Sequence, residues 1–293
     1  MSKLTIGFIG LGVMGEPMCR NLKQKSGQRV LVYDIDAAPM QRLAQHGTES
    51  CPDAGAVARA SDIVFVSLPS GKVLAELVHA GGLLANMQQG KIFVDLGTSG
   101  VKLTRGLAAE FAARGVRYLD APVARTRQAA EEGTLSVMVG GEAATFEEIK
   151  PLLACCASDI THCGAIGSGQ VTKILNNMVL FETVNALSEA YAIAHHAGFD
   201  PKSLFETLTK GSGDSFALRS HGQKAIIPQQ FPLRAFSVEY AKKDLSYALE
   251  LAEEHGLDVA GARCIDALFD QAIAKGLGDQ YHPVVSRVVD RNI

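Results

Sequence analysis

The sequence predicts an α/β domain built on a parallel sheet, followed by a long connecting helix and an all-α domain. Three observations predict it. Short, continuous apolar runs alternate with helical stretches as far as Gly164. From Gln170 to His196 the chain has neither Pro nor Gly. After Pro201 the pattern is helices and polar turns alone. Continuous apolar strands separated by helices belong in a sheet covered on both faces.

Taken in order, residues 4–9 read as the first buried strand, 29–33 as the second, 63–68 as the third and 91–95 as the fourth. Residues 117–119 and 136–139 are further strand candidates. Helical patterns cover 15–24, 39–45 and 103–114. Gly167 and Gly169 form a flexible entry to 170–196, about 27 residues or roughly 40 Å of helix at 1.5 Å per residue. Val171, Ile174, Leu175, Met178, Phe181, Leu187, Ala190 and Ile193 make this helix apolar over much of its circumference, as in a helix buried between partners. Residues 201–210, 237–255 and 260–275 read as helices. The boundary is placed at 164/165, giving domains 1–164 and 165–293.

Gly10-Leu11-Gly12-Val13-Met14-Gly15 matches G-x-G-x-x-G. It follows a strand and opens a helix, the context that makes it a dinucleotide-binding turn of a Rossmann-type domain rather than a ligand-free glycine turn. The glycines permit a tight turn, approach of backbone to pyrophosphate, and close helix–strand packing. Asp34 ends the second strand, where a carboxylate accepts ribose hydroxyls and repels the extra phosphate of NADP. No Arg follows it, so NAD is expected over NADP; the alternative is that Asp34 only caps the next helix. Arg29 and Arg42 are the nearest cations that would weaken the NAD preference by folding inward. Leu68-Pro69-Ser70 and Asp95-Leu96-Gly97-Thr98-Ser99 end two further strands at the same crevice. Thr98 is a candidate for the nicotinamide or the substrate, or simply a turn residue.

Composition excludes other classes. Hydrophobic residues make up 47%, charged residues 20%, and the net charge is −3 with no basic tract, so no nucleic-acid face is expected. No apolar run reaches membrane-spanning length. The apolar start, residues 1–14, is broken by glycines and followed by Glu16 and Arg20, so it reads as strand and turn rather than a targeting segment. The six cysteines include no C-x-x-C pair, which fits reduced thiols in a cytoplasmic protein, with Cys155-Cys156 left as a redox alternative. The eight histidines show no metal-ligand spacing; His195 and His196, as helix neighbours, face different directions.

Further motifs follow the glycine turn: Asp120-Ala121-Pro122-Val123, Gly133-Thr134-Leu135, Gly140-Gly141, Lys173 with Asn176-Asn177, and Lys243-Asp244-Leu245. With Gly7 to Gly15 they resemble the β-hydroxyacid dehydrogenases, the group of 3-hydroxyisobutyrate dehydrogenase and tartronate semialdehyde reductase, over essentially the whole chain. The resemblance implies a Rossmann-type domain joined by a long helix to an all-α domain. It implies Lys173 as catalytic lysine and Asn177 as its partner. It also implies that Lys243 and Phe236 close over the nicotinamide, and that residues 211–215 form a flexible loop near the substrate. The residues agree in part: Lys173 and Asn177 are four apart and share one helix face, and a lysine on an apolar helix is costly unless used. The alternatives are a lysine snorkelling to solvent and, for Lys243-Asp244, a solvated charged face.

One motif departs. Most of the family continues Asp-x-Pro-Val with Ser-Gly-Gly, which holds the substrate carboxylate; here Ala124-Arg125-Thr126 stands in its place. An Arg at this position is similar to the sulfolactaldehyde reductase branch. A guanidinium clamp from Arg125 and Thr126 on an anionic head group is expected, against an Arg125 that points outward to Glu131 or Glu132. The expected activity is hydride transfer between NAD(H) and a small anionic β-hydroxy acid or its aldehyde. Candidates are 3-sulfolactaldehyde, 3-hydroxyisobutyrate and tartronate semialdehyde, handled by a homodimer or homotetramer. An imine reductase and a non-catalytic dinucleotide-binding module are the alternatives; Lys173 speaks against both.

Overall fold

The computed structural model describes residues 4–233 and 235–290; Met1 to Lys3, Arg234 and Arg291 to Ile293 lie outside the described residues. Two compact units divide the chain, Met1–Lys173 and Ile174–Ile293.

The first unit runs β1 (Thr5–Ile9), α1 (Gly15–Ser26), β2 (Arg29–Tyr33), α2 (Ala37–Ala44), β3 (Glu49–Ser50), α3 (Ala54–Ala60), β4 (Ile63–Val66), α4 (Gly71–His79), α5 (Leu83–Asn86), β5 (Ile92–Asp95) and α6 (Val101–Ala112). It continues with β6 (Arg117–Asp120), β7 (Val123–Ala124), α7 (Arg127–Glu132), β8 (Leu135–Gly140), α8 (Ala143–Leu153) and β9 (Ala157–Gly164). The strand order is β3-β2-β1-β4-β5-β6-β8-β7, with β9 on β8. The first six strands are parallel and reproduce the doubly wound dinucleotide-binding order.

The sheet is buried on both faces because alternate side chains of each strand enter different cores. Ile6, Phe8, Ile63, Phe65, Ile92 and Val94 join one cluster; Ile9, Val64, Val66 and Phe93 join the other. Phe93 is fully buried, stacks on Phe111 at 4.6 Å and meets Tyr118 at a tilt, 5.1 Å between centroids. Burial of each such ring stabilises by roughly 2–3 kcal/mol.

The expected parallel sheet carries one reversal at its edge, where β8 runs antiparallel to β6 and β7. Only residues 125–134 separate β7 from β8. That is too short for a helical crossover, so the chain reverses.

The long helix is α9 (Ser168–His196). Ile174, Phe181, Val184, Leu187 and Tyr191 are buried, whereas Leu175, Val179 and Ile193 are exposed. The second unit adds α10 (Pro201–Leu208), a π-helical turn (Leu218–Ile226) that no sequence pattern announced, α11 (Val238–Glu254), α12 (Ala260–Ala274), a 3-10 turn (His282–Val285) and α13 (Ser286–Val289). Asp200 caps α10 through Lys202 and Ser203 N–H, with Pro201 at the first helical position. Among the described residues no helix is long and apolar enough to cross a membrane.

Candidate active site

The carboxyl ends of β1, β4 and β5 meet where the strand order reverses. Ser67 N–H bonds Ile9 O at 2.9 Å and Leu96 N–H bonds Val66 O at 2.8 Å. The three glycines of the β1 turn have separable jobs. Gly10 has φ +87°, and a Cβ there would collide with Ser67 O. A Cβ on Gly15 would collide with Gly10 O, so α1 could not seat on its strand. At Gly12 nothing lies within 4 Å of a Cβ. Gly12 therefore serves no internal packing and leaves an open cradle where a pyrophosphate would lie. Val13 beside it is exposed, whereas Leu11 is buried in the core.

Asp34 is tied to this turn. Its Oδ2 accepts Leu11 N–H at 2.5 Å and its Oδ1 accepts Asp36 N–H at 2.8 Å. Asp36, not Asp34, caps α2 by accepting Ala38 N–H. Helix capping is thus accounted for without Asp34. Arg42 pairs with both oxygens of Glu16 at 2.6 and 2.7 Å, and Arg29 with both of Glu49 at 2.9 and 2.6 Å.

The start of α9 is pinned to the sheet edge. Asp120, 0% exposed, accepts Gly167 N–H at 2.7 Å and Gln170 N–H at 2.9 Å. Burial raises its pKa, and the backbone N–H groups of the helix start hold it down in part. Gly140 and Gly169 make this approach possible: a Cβ on either would strike Asp120 or the backbone beside it. Gln170, also fully buried, grips the loop 95–99 on both sides of Thr98. Its amide donates to Gly97 O at 2.9 Å and accepts Ser99 N–H at 3.1 Å. Thr98 is itself buried, and Leu68 O and N lie beside Gly97. Pro69 is exposed beyond the end of β4. Lys173 stands one turn past Gln170 and is buried, with 9% exposure. It is not a lysine snorkelling into solvent.

Within the second unit, Asn177 is 1% exposed and donates from Nδ2 to Asp244 Oδ2 at 2.7 Å. Asp244 is equally buried, so the charged stretch on α11 is not a solvated face. Lys243 Nζ lies 2.9 Å from Asp244 Oδ1, close enough for charge attraction though not aligned as a hydrogen bond. It sits 4.0 Å over the Tyr240 ring. Phe236 joins an aromatic cluster with Phe181, Tyr240 and His282 at 5.7, 5.6 and 5.4 Å.

Comparison with known proteins decides the family. Residues 5–164 match the family described as the NAD binding domain of 6-phosphogluconate dehydrogenase. Residues 167–289 match the one described as NAD-binding of NADP-dependent 3-hydroxyisobutyrate dehydrogenase. The chain is 35% identical to 2-(hydroxymethyl)glutarate dehydrogenase of Eubacterium barkeri over 97% of its length and 94% of that protein's. It is 33% identical to 2-hydroxy-3-oxopropionate reductase of Escherichia coli (strain K12), over 98% and 97%.

The chain belongs to the β-hydroxyacid dehydrogenase family.

A solved Mycobacterium tuberculosis 3-hydroxyisobutyrate dehydrogenase superposes with a TM-score of 0.90 at 30% identity, covering 98% of this chain and 99% of that one. As a β-hydroxyacid dehydrogenase the protein is an NAD(P)-binding oxidoreductase acting on hydroxyl groups. Its departure at 124–126 now has a geometry. Arg125 has φ +87°, the left-handed region that glycine enters freely and other residues enter at a cost of about 1 kcal/mol or more. Its guanidinium donates to Thr134 O at 2.6 Å, to Ser158 Oγ at 2.8 Å and to Asp159 Oδ2 at 2.7 Å. The expected alternative partners are not used: Glu131 pairs with Arg20 and Arg127, and Glu132 with Gln128. Thr126 caps α7 by accepting Ala129 N–H, and Ala124 is buried in β7.

Sequence reading assigned no role to Asp120, Gln170 or Asp244. Asp244 was findable, since it lies on the buried stripe of α11 between Ala241 and Ala248. The cysteines are all free. Burial raises the thiol pKa of Cys19, Cys51 and Cys155, and that of Cys156 to about 12, which disfavours the reactive thiolate.

Proposed function

We propose that this protein catalyses reversible hydride transfer between NAD(H) and a small anionic β-hydroxy acid or its semialdehyde, with Lys173 as the proton-transfer group. The observation that carries this is the buried amine one turn past Gln170, whose amide brackets Thr98 at the carboxyl edge of the sheet. A bound nicotinamide supplies or takes the hydride. Lys173 gives its proton to the carbonyl oxygen in reduction and takes it from the hydroxyl in oxidation. Asn177 shares its helix face and orients the reacting oxygen. Lys243 and Phe236 keep the closing role that the resemblance gives them.

NAD is favoured over NADP by a carboxylate at the end of β2 and by the engagement of Arg29 and Arg42 with Glu49 and Glu16. For the anionic head we assign the turn 124–126. The Arg125–Asp159 pair is half-exposed, so solvent screens it and it holds the guanidinium only weakly. Exchange of Asp159 for a substrate anion is therefore cheap. The E. coli relative is named for a three-carbon substrate, and the solved M. tuberculosis protein is described with L-serine, a three-carbon β-hydroxy acid. Three-carbon substrates rank first, 3-sulfolactaldehyde and tartronate semialdehyde among them, ahead of 3-hydroxyisobutyrate.

We also propose a homodimer or homotetramer that covers Leu175, Val179 and Ile193, and a cytoplasmic location that keeps the six thiols reduced. A panel of hydroxy acids and aldehydes, assayed with NAD(H) and NADP(H), tests the activity. Turnover of a three-carbon β-hydroxy acid with NAD is expected. Turnover confined to imines, or none with any hydroxy acid, contradicts the proposal.

A further inference from the structure

Helix α9 ends in two histidines, His195 and His196. Neighbours on a helix point about 100° apart, so a common partner is not expected. Here the rings use different nitrogens to reach one carboxylate. His195 Nδ1 stands 3.8 Å from Asp290 Oδ2, and His196 Nε2 stands 2.9 Å from it. The near nitrogen of one ring and the far nitrogen of the other make up for the angular separation. All three ligand atoms lie within 4.8 Å of one another, and this is the one such His/Cys/Asp/Glu group among the described residues. Tyr191, one turn earlier, lies face to face with His195 at 6.3 Å between ring centroids.

The burial is uneven in an informative way. The Asp290 side chain is 2% exposed, while the two imidazoles are 48% and 54% exposed. Asp290 Oδ2 is within hydrogen-bond distance of His196 Nε2, so the carboxylate and one imidazole are already held together at the end of α9. The carboxyl end of α9 adds partial negative charge to the same place. Ligand atoms at about 2.0–2.2 Å from one tetrahedral ion lie roughly 3–3.5 Å apart. Rotation of the half-exposed rings closes the remaining gap. Two imidazoles and one carboxylate with an open position suit Zn²⁺, and three ligands are too few and too nitrogen-rich for Ca²⁺ or Mg²⁺.

We propose that His195, His196 and Asp290 bind a zinc-class divalent ion, which clasps the segment 282–290 to the end of α9. The clasp is structural and independent of hydride transfer. The test uses the full-length, tag-free, chelator-treated protein and ZnCl₂ as the probe, followed by isothermal titration calorimetry. One ion per chain is expected, with a Kd of about 10 µM or tighter and a loss of about tenfold or more in His195→Ala and in His196→Ala. Both positions are half-exposed, and far-ultraviolet circular dichroism verifies that the variants fold. At about 100 Kd of zinc the melting temperature of the wild type is expected to rise by about 5 °C, and that of the double histidine variant by none. No saturable binding by 100 µM zinc, or binding that neither histidine variant weakens, overturns the site. A histidine-dependent site with no thermal shift overturns the clasp.

Discussion

Asp120 Oδ2 accepts the backbone N–H of Gln170 at 2.9 Å, and Gln170 lies one turn ahead of Lys173. A carboxylate on the sheet edge thus sets the origin of the helix that carries the proposed proton-transfer group. Because Asp120 also accepts Gly167 N–H, its removal leaves two buried donors without an acceptor. Asp120→Ala is expected to destabilise by roughly 2–4 kcal/mol, with Asp120→Asn milder because one acceptor remains. Urea denaturation measures this. A change below about 0.5 kcal/mol would mean that the helix start does not depend on Asp120.

The glycine turn separates structural from ligand-facing roles. Gly15→Ala is expected to unfold or strongly destabilise the protein, because the added methyl strikes Gly10 O. Gly12→Ala meets no atom within 4 Å and leaves the melting temperature unchanged. The same substitution is expected to weaken dinucleotide binding by about tenfold or more, since backbone approach to pyrophosphate is what the second glycine provides. Fluorescence titration with NADH, paired with a thermal melt, reads both. Unimpaired binding in Gly12→Ala would remove the pyrophosphate from this turn.

Much of this was legible in the chain. The six parallel strands announced themselves as continuous apolar runs, and the glycine turn fell between a strand and a helix. The reversal of β8 escaped because periodicity carries no strand direction; only the short connection 125–134 encodes it. Asp120 and Gln170 escaped for a different reason. Their partners lie 50 and about 70 residues away, and a polar residue in a motif does not state what it holds. Arg125 was visible as a departure, but its left-handed φ and its hold on Thr134, Ser158 and Asp159 were not.

Asp34 controls cofactor choice in this account. Asp34→Ala is expected to lower the ratio of kcat/KM for NAD over NADP by about tenfold. It also frees Leu11 N–H from its acceptor and costs about 1 kcal/mol in stability. Kinetics with both cofactors decide it. An unaltered ratio would assign Asp34 to the turn alone.

The second unit carries an acid-labile core. His221, 5% exposed, accepts or donates to Tyr281 Oη at 2.5 Å according to its tautomer, and burial lowers its pKa from 6.5 to about 4. His282, fully buried, is shifted the same way by burial and by His221. Between pH 6.5 and 4 the unfolded chain binds more protons than the folded one, so stability falls on acidification through this window. The His221 contribution is present in full above pH 6.5 and amounts to on the order of 3 kcal/mol. Urea midpoints at pH 7, 6 and 5 are expected to decrease in that order, and less steeply in His221→Gln. A midpoint that stays flat from pH 7 to 5 would contradict the buried, neutral state of this ring.

The central claim is that the Lys173 amine transfers the proton. Single-turnover reduction of the aldehyde by NADH in Lys173→Ala tests it most directly, with NADH affinity measured on the same sample. The account predicts a fall in rate of about 10² or more with NADH affinity within twofold of wild type. An undiminished rate at saturating substrate would contradict it.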